Sequence, residues 1–323
     1  MEISLVAALL IAAAVAFAIS IGAHYTGACM GMPYAAGAIP LGRALLLMAP
    51  LAFLGAFLAS GNVEGTVGHG ILITGTVALG VALLIVTTAL VLTSAYNFLT
   101  VPTSTIQILV FSTIGVGLAV GIPVNWSTIE VLLVIWAVAP VAAFGIGFAG
   151  TRLADRWRPI SSPASERSKA WMTSLVAIGL VASFAMGAND VSNASGPLVM
   201  TGLFGLLAAG FIGGVGIAVG VLTWGRPLLK TVAFNIVKLD PRMAFTSQIA
   251  QSLVILVSVA FGYFTSMNQA LVAGMLGTGV ARGQSVVLWK PVRGILIGWL
   301  VGPASGLSLG FALTWLSIRG GLL

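Results

Sequence analysis

The chain has 323 residues, of which 59% are hydrophobic and only 7% are charged. Soluble domains carry about 25% charged residues, so this composition excludes a water-exposed globular protein. The net charge of +7 comes from basic residues scattered among short loops, which is typical of membrane topology and not of a nucleic-acid-binding protein. The single cysteine, Cys29, excludes an internal disulfide and a cysteine-rich metal site, and we predict no cofactor.

Apolar segments follow one another from Ile3 to the C-terminus, and roughly ten of them fit the ~20 residues that a spanning helix needs. Lipid offers no partners to backbone N–H and C=O groups, so these segments are predicted to be helices. Short segments of alternating polarity, which would indicate a β-barrel, do not occur in the sequence. We therefore expect an all-α integral protein of the plasma membrane.

Two apolar segments of the first half are interrupted by polar residues. The run SIGAHYTGACMGMPY, within Ile19–Tyr34, brings glycines, hydroxyls and a histidine to a depth where lipid is expected. The run NFLTVPTSTIQ, at Asn97–Gln107, places a proline before a hydroxyl-rich stretch that continues as an apolar helix to Val120. Polar, non-helical backbone at this depth is tolerated only where it lines a cavity.

The segment Thr151–Ala170 separates the two hydrophobic halves. It contains five basic residues against Asp155 and Glu166, which predicts a cytoplasmic linker. The second half then repeats both interruptions, as GANDVSNASGP at Gly187–Pro197 and FTSMNQ at Phe264–Gln269. Paired interruptions of this kind indicate the binding site of a transporter.

Three windows of the first half recur in the second half in the same order. They are Gly22–Ala23 with Gly187–Ala188, Thr103–Gly117 with Thr265–Gly279, and Leu132–Phe148 with Ile295–Phe311. The offsets are 165, 162 and 163 residues, and a shared Gln, Trp and Pro in collinear order argue against coincidence. The sequence therefore predicts an internal repeat.

Loop charges give the relative orientation of the two copies. The loops Arg226–Arg242 and Arg282–Arg293 are basic, whereas their first-half counterparts have no Lys or Arg and hold Glu64 and Glu130, which we expect to be loop residues. Because basic loops are cytoplasmic, equivalent loops lie on opposite sides of the membrane. This pattern predicts two inverted-topology repeats, with re-entrant or discontinuous helices that meet at the bilayer midplane.

The predicted domains follow from this orientation. Residues 1–150 form the first inverted repeat, 151–170 the cytoplasmic linker, and 171–323 the second inverted repeat. Both termini then lie outside the cell. The oligomeric state, including a homodimer, stays open.

The interrupted helices offer the chemistry of an anion site. A helix that begins inside the membrane presents unpaired N–H groups and a partial positive charge at its start. Hydroxyl and amide groups there add donors without net charge, although serine and threonine also serve simply as helix caps. The candidate anion ligands are Ser104, Thr105, Ser266, Asn268, Asn189, Asn193, Ser195, Tyr25 and Thr26.

Asp190 is the first candidate for the coupling-ion site, because an ionisable residue inside the membrane is costly and marks function. The alternative is an interfacial carboxylate that caps a helix at Val191. Asn193 shares its helical face, so the two side chains suit a proton, or a sodium ion as metal ligands if the coupling is to sodium. His24 is the second candidate, and a locally satisfied polar residue is the equal alternative for it.

The segment GANDVSNASGP, together with the hydroxyl-bearing helix starts and the Gly-x-Gly ends at Gly115/Gly117 and Gly277/Gly279, resembles the inorganic phosphate transporter (PiT) family over the whole chain. The resemblance implies a proton- or sodium-coupled symporter for phosphate or a similar oxyanion. The first half departs from the family pattern, since His24-Tyr25 stands where the family repeats Asn-Asp. The run IGAHYTGACMGMPYAAGAI is instead similar to the sulfate-permease (CysP-type) branch.

Two further positions depart from the family pattern, because Gln107 and Gln269 replace its usual histidine. The exchange of an aspartate for Tyr25 replaces an acceptor charge by a donor hydroxyl and removes repulsion toward a dianion. Sulfate only accepts hydrogen bonds, whereas phosphate near neutral pH also donates one. We therefore predict sulfate uptake coupled to protons, with Asp190 as the proton carrier.

Three other functions compete with this prediction. A phosphate symporter of the same fold, coupled to protons or sodium, is the main alternative. An anion channel is a weaker one, because half-helices that meet at the midplane also suit channels. An enzyme is not expected, since the sequence has no nucleophile–base pair, HExxH motif or ATP-binding motif.

Overall fold

The structure, a computed structural model, describes residues 4–157, 169–234, 240–283 and 289–323. Within these ranges the first half forms seven helices: α1 Leu5–His24, α2 Thr26–Ala35, α3 Leu41–Ala59, α4 Gly61–His69, α5 Leu79–Phe98, α6 Thr105–Val120 and α7 Trp126–Trp157. The second half forms seven more: α8 Lys169–Asp190, α9 Ser192–Met200, α10 Leu206–Trp224, α11 Arg226–Phe234, α12 Pro241–Ala260, α13 Met267–Arg282 and α14 Trp289–Arg319.

In the described part of the chain, eight helical segments are long and apolar enough to cross a membrane, with α1–α2 and α8–α9 each counted as one interrupted helix. Their outer surface is apolar, and Leu5, Leu300 and Phe98 are each more than 75% exposed. Such a surface suits lipid and would be unfavourable in water. The described residues thus confirm the prediction of an all-α membrane protein.

The two halves are related by a pseudo-twofold arrangement. α3 packs on α8 as α10 packs on α1, α6 packs on α14 as α13 packs on α7, and α4 packs on α9 as α11 packs on α2. Every one of these contacts between the halves therefore occurs twice, with the halves exchanged. The internal repeat predicted from the sequence is present in the fold.

Glycine allows two of these pairs to approach closely. A Cβ on Gly187 of α8 would overlap the Ala52 carbonyl of α3, and a Cβ on Gly22 of α1 would overlap the Ile217 carbonyl of α10. Small residues let helix backbones touch in membranes, where dispersion contacts hold helices together. The matched pair Gly22–Gly187 noticed in the sequence is thus explained by packing between the halves.

The repeats are inverted because each half crosses the membrane an odd number of times. The α1–α2 helix, α3 and α7 are spanning segments. Helix α5 is also long enough to cross, but α6 brings the chain back to the side it came from, since Leu72 before α5 pairs with Val124 after α6. The α5–α6 hairpin therefore adds no net crossing. Helix α4 has nine residues, too few to cross. The second half is built from the same elements and therefore runs in the opposite direction.

The hairpin tips, Leu99–Ser104 and Phe261–Ser266, have matching backbone geometry. In the first tip the Val101 N–H donates to the Tyr96 carbonyl at 3.0 Å, and in the second Tyr263 donates to Ser258 at 2.9 Å. Both tips end a helix with a residue in the left-handed region, as in a Schellman motif. These turns let α6 and α13 begin inside the protein.

Three sequence predictions meet the structure differently. Glu64 does not lie in a loop but in α4, where it is fully buried. Glu130 is exposed, as a loop residue would be, but belongs to α7. The predicted linker overlaps the end of α7 at residues 151–157 and the start of α8 at 169–170, and its residues 158–168 lie outside the described part.

Candidate functional site

The half-helices α6 and α13 begin in the interior of the protein. Ser104 is the N-cap of α6, and its hydroxyl oxygen accepts the Gln107 N–H at 3.3 Å. Ser266 is the N-cap of α13 and accepts the Gln269 N–H at the same distance. Both serines are buried, and each keeps a hydroxyl hydrogen to donate. Capping and ligand binding are therefore compatible at both helix starts.

The two half-helices touch each other through glutamines. Gln107 Nε2 donates to Gln269 Oε1 at 3.3 Å, and Gln269 Nε2 donates to Gln107 Oε1 at 3.0 Å. Such a reciprocal pair places the two residues at the pseudo-twofold axis. The set of candidate ligands predicted from the sequence omits them, although their repeat spacing of 162 residues was the available signal.

The broken helices dock on the same helix starts. Asn189, at the end of α8, accepts the Thr265 N–H at 3.1 Å and donates to the Thr265 carbonyl at 2.9 Å. His24, at the end of α1, contacts the Thr103 N–H and carbonyl, both at 3.2 Å from Nε2. Each break is thereby attached to the residue that precedes an N-cap.

Asp190 follows Asn189 and is fully buried. Its Oδ2 accepts the Asn189 side-chain amide at 3.0 Å, and the carboxylate also interacts with the Tyr25 hydroxyl. Tyr25 interrupts the first half as Val191, one residue after Asp190, interrupts the second. Asp190 forms no ion pair within the described residues. A buried carboxylate without a counter-charge is costly, so Asp190 is a candidate to bind a proton or a cation.

Thr105 connects the breaks of the two halves. Its hydroxyl lies 2.9 Å from the Tyr25 hydroxyl and accepts the Asn193 side-chain amide at 3.0 Å. Tyr25 belongs to the first break and Asn193 to α9 of the second half. The structure therefore brings four of the predicted site residues together: Tyr25, Thr105, Asn193 and Asp190.

The other predicted ligands are placed less favourably. Asn268 donates to the Thr103 carbonyl at 2.8 Å and so also joins the two halves. Thr26 donates to backbone carbonyls, including that of Gly225 at 2.6 Å. Ser195 donates to the carboxylate of Glu64. In the described structure the hydroxyls of Thr26 and Ser195 are thus engaged away from the half-helix starts.

Four buried oxygens around the site have no hydrogen-bond partner among the described residues. They are Asp190 Oδ1, Asn193 Oδ1, Thr103 Oγ1 and Thr265 Oγ1. Buried polar atoms are nearly always paired, so unpaired ones in one region indicate where a ligand binds. The first two are acceptors, which suit a cation or a proton, and the two hydroxyls can donate to an anion.

Comparison with known proteins identifies the family. The model of the phosphate transporter family matches residues 21–174 and, a second time, residues 158–309. The chain belongs to the phosphate transporter family. The two matches correspond to the two repeats, and the transporter shares this duplication with its family.

Two relatives are similar to the transporter over almost its whole length. The sulfate permease CysP of Bacillus subtilis is 29% identical over 305 residues, 94% of this chain and 86% of the permease. A probable low-affinity inorganic phosphate transporter of Mycobacterium bovis is 27% identical over 350 residues, 96% of this chain and 81% of that protein. These similarities establish an oxyanion transporter of the membrane.

A solved structure has the same fold. It is a sodium-dependent phosphate transporter that matches 97% of this chain and 99% of its own, with a TM-score of 0.89 and 22% sequence identity. The inverted repeats and interrupted helices of the transporter are therefore those of a known fold.

Proposed function

We propose that the transporter takes up sulfate by symport with protons. The observation that carries the proposal is the placement of Tyr25. This residue has the position in the first repeat that Asp190 has in the second, and its hydroxyl bonds Thr105. Because Tyr25 has no charge, the centre holds a single carboxyl group together with many neutral donors. The 29% identity to a sulfate permease supports the same substrate.

The number of carboxyl groups matters for the choice of anion. Hydrogenphosphate can donate a hydrogen bond to a carboxylate, whereas sulfate carries no hydrogen to donate at neutral pH. A second carboxylate beside a dianion would also repel it in a medium of low dielectric constant. Tyr25 supplies a donor at this place, so the site favours an anion that only accepts hydrogen bonds.

Asp190 is the proposed carrier of the proton. The carboxyl group is buried and one of its oxygens has no partner among the described residues, so it can hold a proton during the crossing of the anion. The proton offsets part of the negative charge of sulfate, whose transfer through the low-dielectric interior is otherwise costly. His24 lies in the same site but holds Asn97 and Thr103, which suits a positioning role.

The orientation belongs to the same proposal. The basic linker around residues 151–170 faces the cytoplasm and both termini face outside. Alternating access then moves the interrupted helices and hairpin tips of one repeat relative to the other around a fixed site.

Sodium-coupled phosphate transport is the second candidate. Two acceptor oxygens without partners among the described residues, Asp190 Oδ1 and Asn193 Oδ1, form the beginning of a sodium site. The name of the relative with the same fold also supports this candidate.

Counterflow in proteoliposomes separates the two candidates. Vesicles loaded with unlabelled sulfate or phosphate are given the same anion in labelled form, and accumulation of each labelled anion is measured under a proton or a sodium gradient. We expect exchange with sulfate only, and accumulation only under the proton gradient. Exchange with phosphate alone, or accumulation under sodium alone, contradicts the proposal.

Variants of Tyr25 sharpen this experiment. Tyr25→Phe removes the hydrogen bond to Thr105, which contributes about 1 kcal/mol, so sulfate affinity should fall roughly five- to tenfold. Tyr25→Asp restores a second carboxyl group and should shift the preference toward phosphate. The matched control is Tyr34→Phe, because Tyr34 lies at the other end of α2.

A further inference from the structure

Glu64 is a second buried acid in the transporter. Among the described residues, Asp190 and Glu64 are the two acids with no exposed surface. Glu64 lies in the short helix α4, which packs mainly on α9. No part of the proposed sulfate site uses it.

The carboxyl group of Glu64 is enclosed on three sides. Its Oε1 accepts the Ser195 hydroxyl of α9, and the Ser60 hydroxyl at the start of α4 also bonds the carboxyl group. The Gly210 backbone of α10 closes the third side, because a Cβ on this glycine would lie 3.2 Å from Oε1. Oε2 has no partner among the described residues.

No basic group is available to neutralise Glu64 within the described residues. Helices α9 and α10, which pack against α4, contain no ionisable side chain. Arg242 of α12 is near Asp155 at the start of its helix, and Arg43 lies at the far end of α3. His69 of α4 itself is exposed. A carboxylate so enclosed without a counter-charge is strongly disfavoured, so it takes up a proton.

Tyr263 is the remaining ionisable residue near α4. It lines a polar pocket of about 370 Å³ with Thr66, Asn125 and Ser127. Thr66 is two residues from Glu64, so it faces the opposite side of the helix. The pocket brings polar surface to α4 without placing a charge against Glu64.

Helix α4 connects two moving parts of the site. Ser195, which bonds Glu64, is five residues after Asp190, about 7.5 Å along the helix axis. On the opposite face, the Thr66 hydroxyl donates to the Gly262 carbonyl at 2.7 Å, in the tip that leads to Ser266. A change of protonation at Glu64 can therefore act on two elements, the broken helix α9 through Ser195 and the start of α13 through the contact of Thr66 with Gly262.

The second half has no counterpart of this acid. The repeat offset places Glu64 opposite Pro227–Leu229 of α11, where Leu228 and Leu229 are buried and apolar. The carboxyl group is thus present in only one of two otherwise matched helices. The fold therefore does not need an acid at this position in each repeat. An acid in one repeat only argues for a role in one direction of the transport cycle.

We propose that Glu64 is a second proton-binding site of the transporter. In the closed arrangement an O–H bond forms at Oε2 with a proton from bulk water, while Ser195 continues to donate to Oε1. Separation of α4 from α9 hydrates the group, breaks this O–H bond and returns the proton to water. Proton release at Glu64 thereby accompanies the movement of α9 that opens the site. This inference rests on the proposed proton coupling.

Glu64→Gln tests the inference, since a glutamine oxygen still accepts the Ser195 hydroxyl but the side chain binds no proton. Sulfate counterflow should stay within about twofold of the unmodified protein, because exchange needs no net proton transfer. Accumulation under a gradient of one pH unit should fall about tenfold, since one fewer proton drives each cycle. Glu64→Asp should restore part of it. A structural role alone would reduce counterflow and accumulation together.

Infrared difference spectroscopy keeps the inference testable if the substrate or the coupling ion is not the one proposed. Protonated carboxyl groups give a carbonyl band in the difference spectrum between acidic and alkaline pH, and the proposed proton carrier Asp190 contributes to this band as well. The Glu64 component of the band should be present in the unmodified protein and absent in Glu64→Gln. Glu130→Gln, which changes an exposed acid, is the matched control and should keep the band. An unchanged band in Glu64→Gln, or full proton-driven accumulation by that variant, overturns the inference. Failure of sulfate transport in the unmodified protein overturns the proposed function only.

Discussion

His24 and Asn189 make equivalent contacts in the two halves, although one is a histidine and the other an asparagine. Asn189 accepts the N–H and donates to the carbonyl of Thr265, and His24 Nε2 lies 3.2 Å from both the nitrogen and the carbonyl oxygen of Thr103. Each of these threonines comes immediately before a half-helix cap, and the neutral imidazole, whose Nδ1 donates to Asn97, accepts the Thr103 N–H. His24 also bonds Asn97 Oδ1 at 2.5 Å through its other ring nitrogen. This correspondence supports the proposal that His24 positions α6.

The first prediction concerns this contact. His24→Asn should retain sulfate transport and its dependence on the proton gradient, because the asparagine amide can make the Asn189 contacts. His24→Leu should leave Thr103 unpaired and lower stability by about 1–3 kcal/mol. Thermal unfolding in detergent and uptake by proteoliposomes measure the two effects. Loss of the proton dependence in His24→Asn would instead make His24 the coupling residue.

The second prediction separates a symporter from a channel. Asp190→Asn removes the proposed proton carrier while keeping a side chain of the same size. Accumulation of sulfate should fall to the background of empty vesicles, and counterflow should persist. A channel would behave differently. Both the unmodified protein and Asp190→Asn would pass a current without accumulating sulfate, and the variant would have a changed ion selectivity. Asp155→Asn, on the linker side of the membrane, is the control.

The third prediction concerns the hairpin tips. Thr100 and Gly262 are 162 residues apart, and both have positive φ values, 54° and 76°. Left-handed backbone costs a residue with a Cβ about 1–2 kcal/mol. Glycine avoids this cost, but it loses more conformational entropy on folding, which cancels part of the gain. Thr100→Gly should therefore stabilise the transporter by about 0.5–1 kcal/mol. Gly262→Thr should destabilise it, because its positive φ is unfavourable for a residue with a Cβ.

Thermal unfolding of both tip variants, compared with the unmodified protein, checks this third prediction. A lower unfolding temperature for Thr100→Gly would contradict the prediction. It would show that contacts of the threonine side chain stabilise the fold by more than its left-handed backbone destabilises it. Equal effects of the two substitutions would contradict the structural equivalence of the tips.

Much of this architecture follows from the sequence because it depends on strong and repeated signals. Spanning length, the offset between the halves and the contrast in loop charges are additive over many residues, so the inverted repeat could be predicted. The breaks at Tyr25 and Val191 and the caps Ser104 and Ser266 were visible as polar residues in apolar runs.

Tertiary pairing is what the sequence does not specify. The sequence predicts a loop at Glu64, because its counterpart in the second half is a basic loop, and only the packing of α4 on α9 buries it. Thr26 and Ser195 have the residue type of a ligand, but their hydroxyls are directed to Gly225 and Glu64. The direction of a side chain depends on the rotation of each helix about its axis, which an apolar sequence leaves nearly undetermined.

The fourth prediction tests whether Gln107 and Gln269 act as one unit at the contact between the half-helices. Gln107→Leu and Gln269→Leu each leave a buried amide without its partner, so each should cost about 1–3 kcal/mol. The double variant replaces both amides by apolar groups and should cost less than the sum of the two single variants. Thermal unfolding of all four proteins measures this coupling. Additive effects would mean that the amides act independently, and the half-helices would then be held together by their other contacts, such as Asn268 with Thr103.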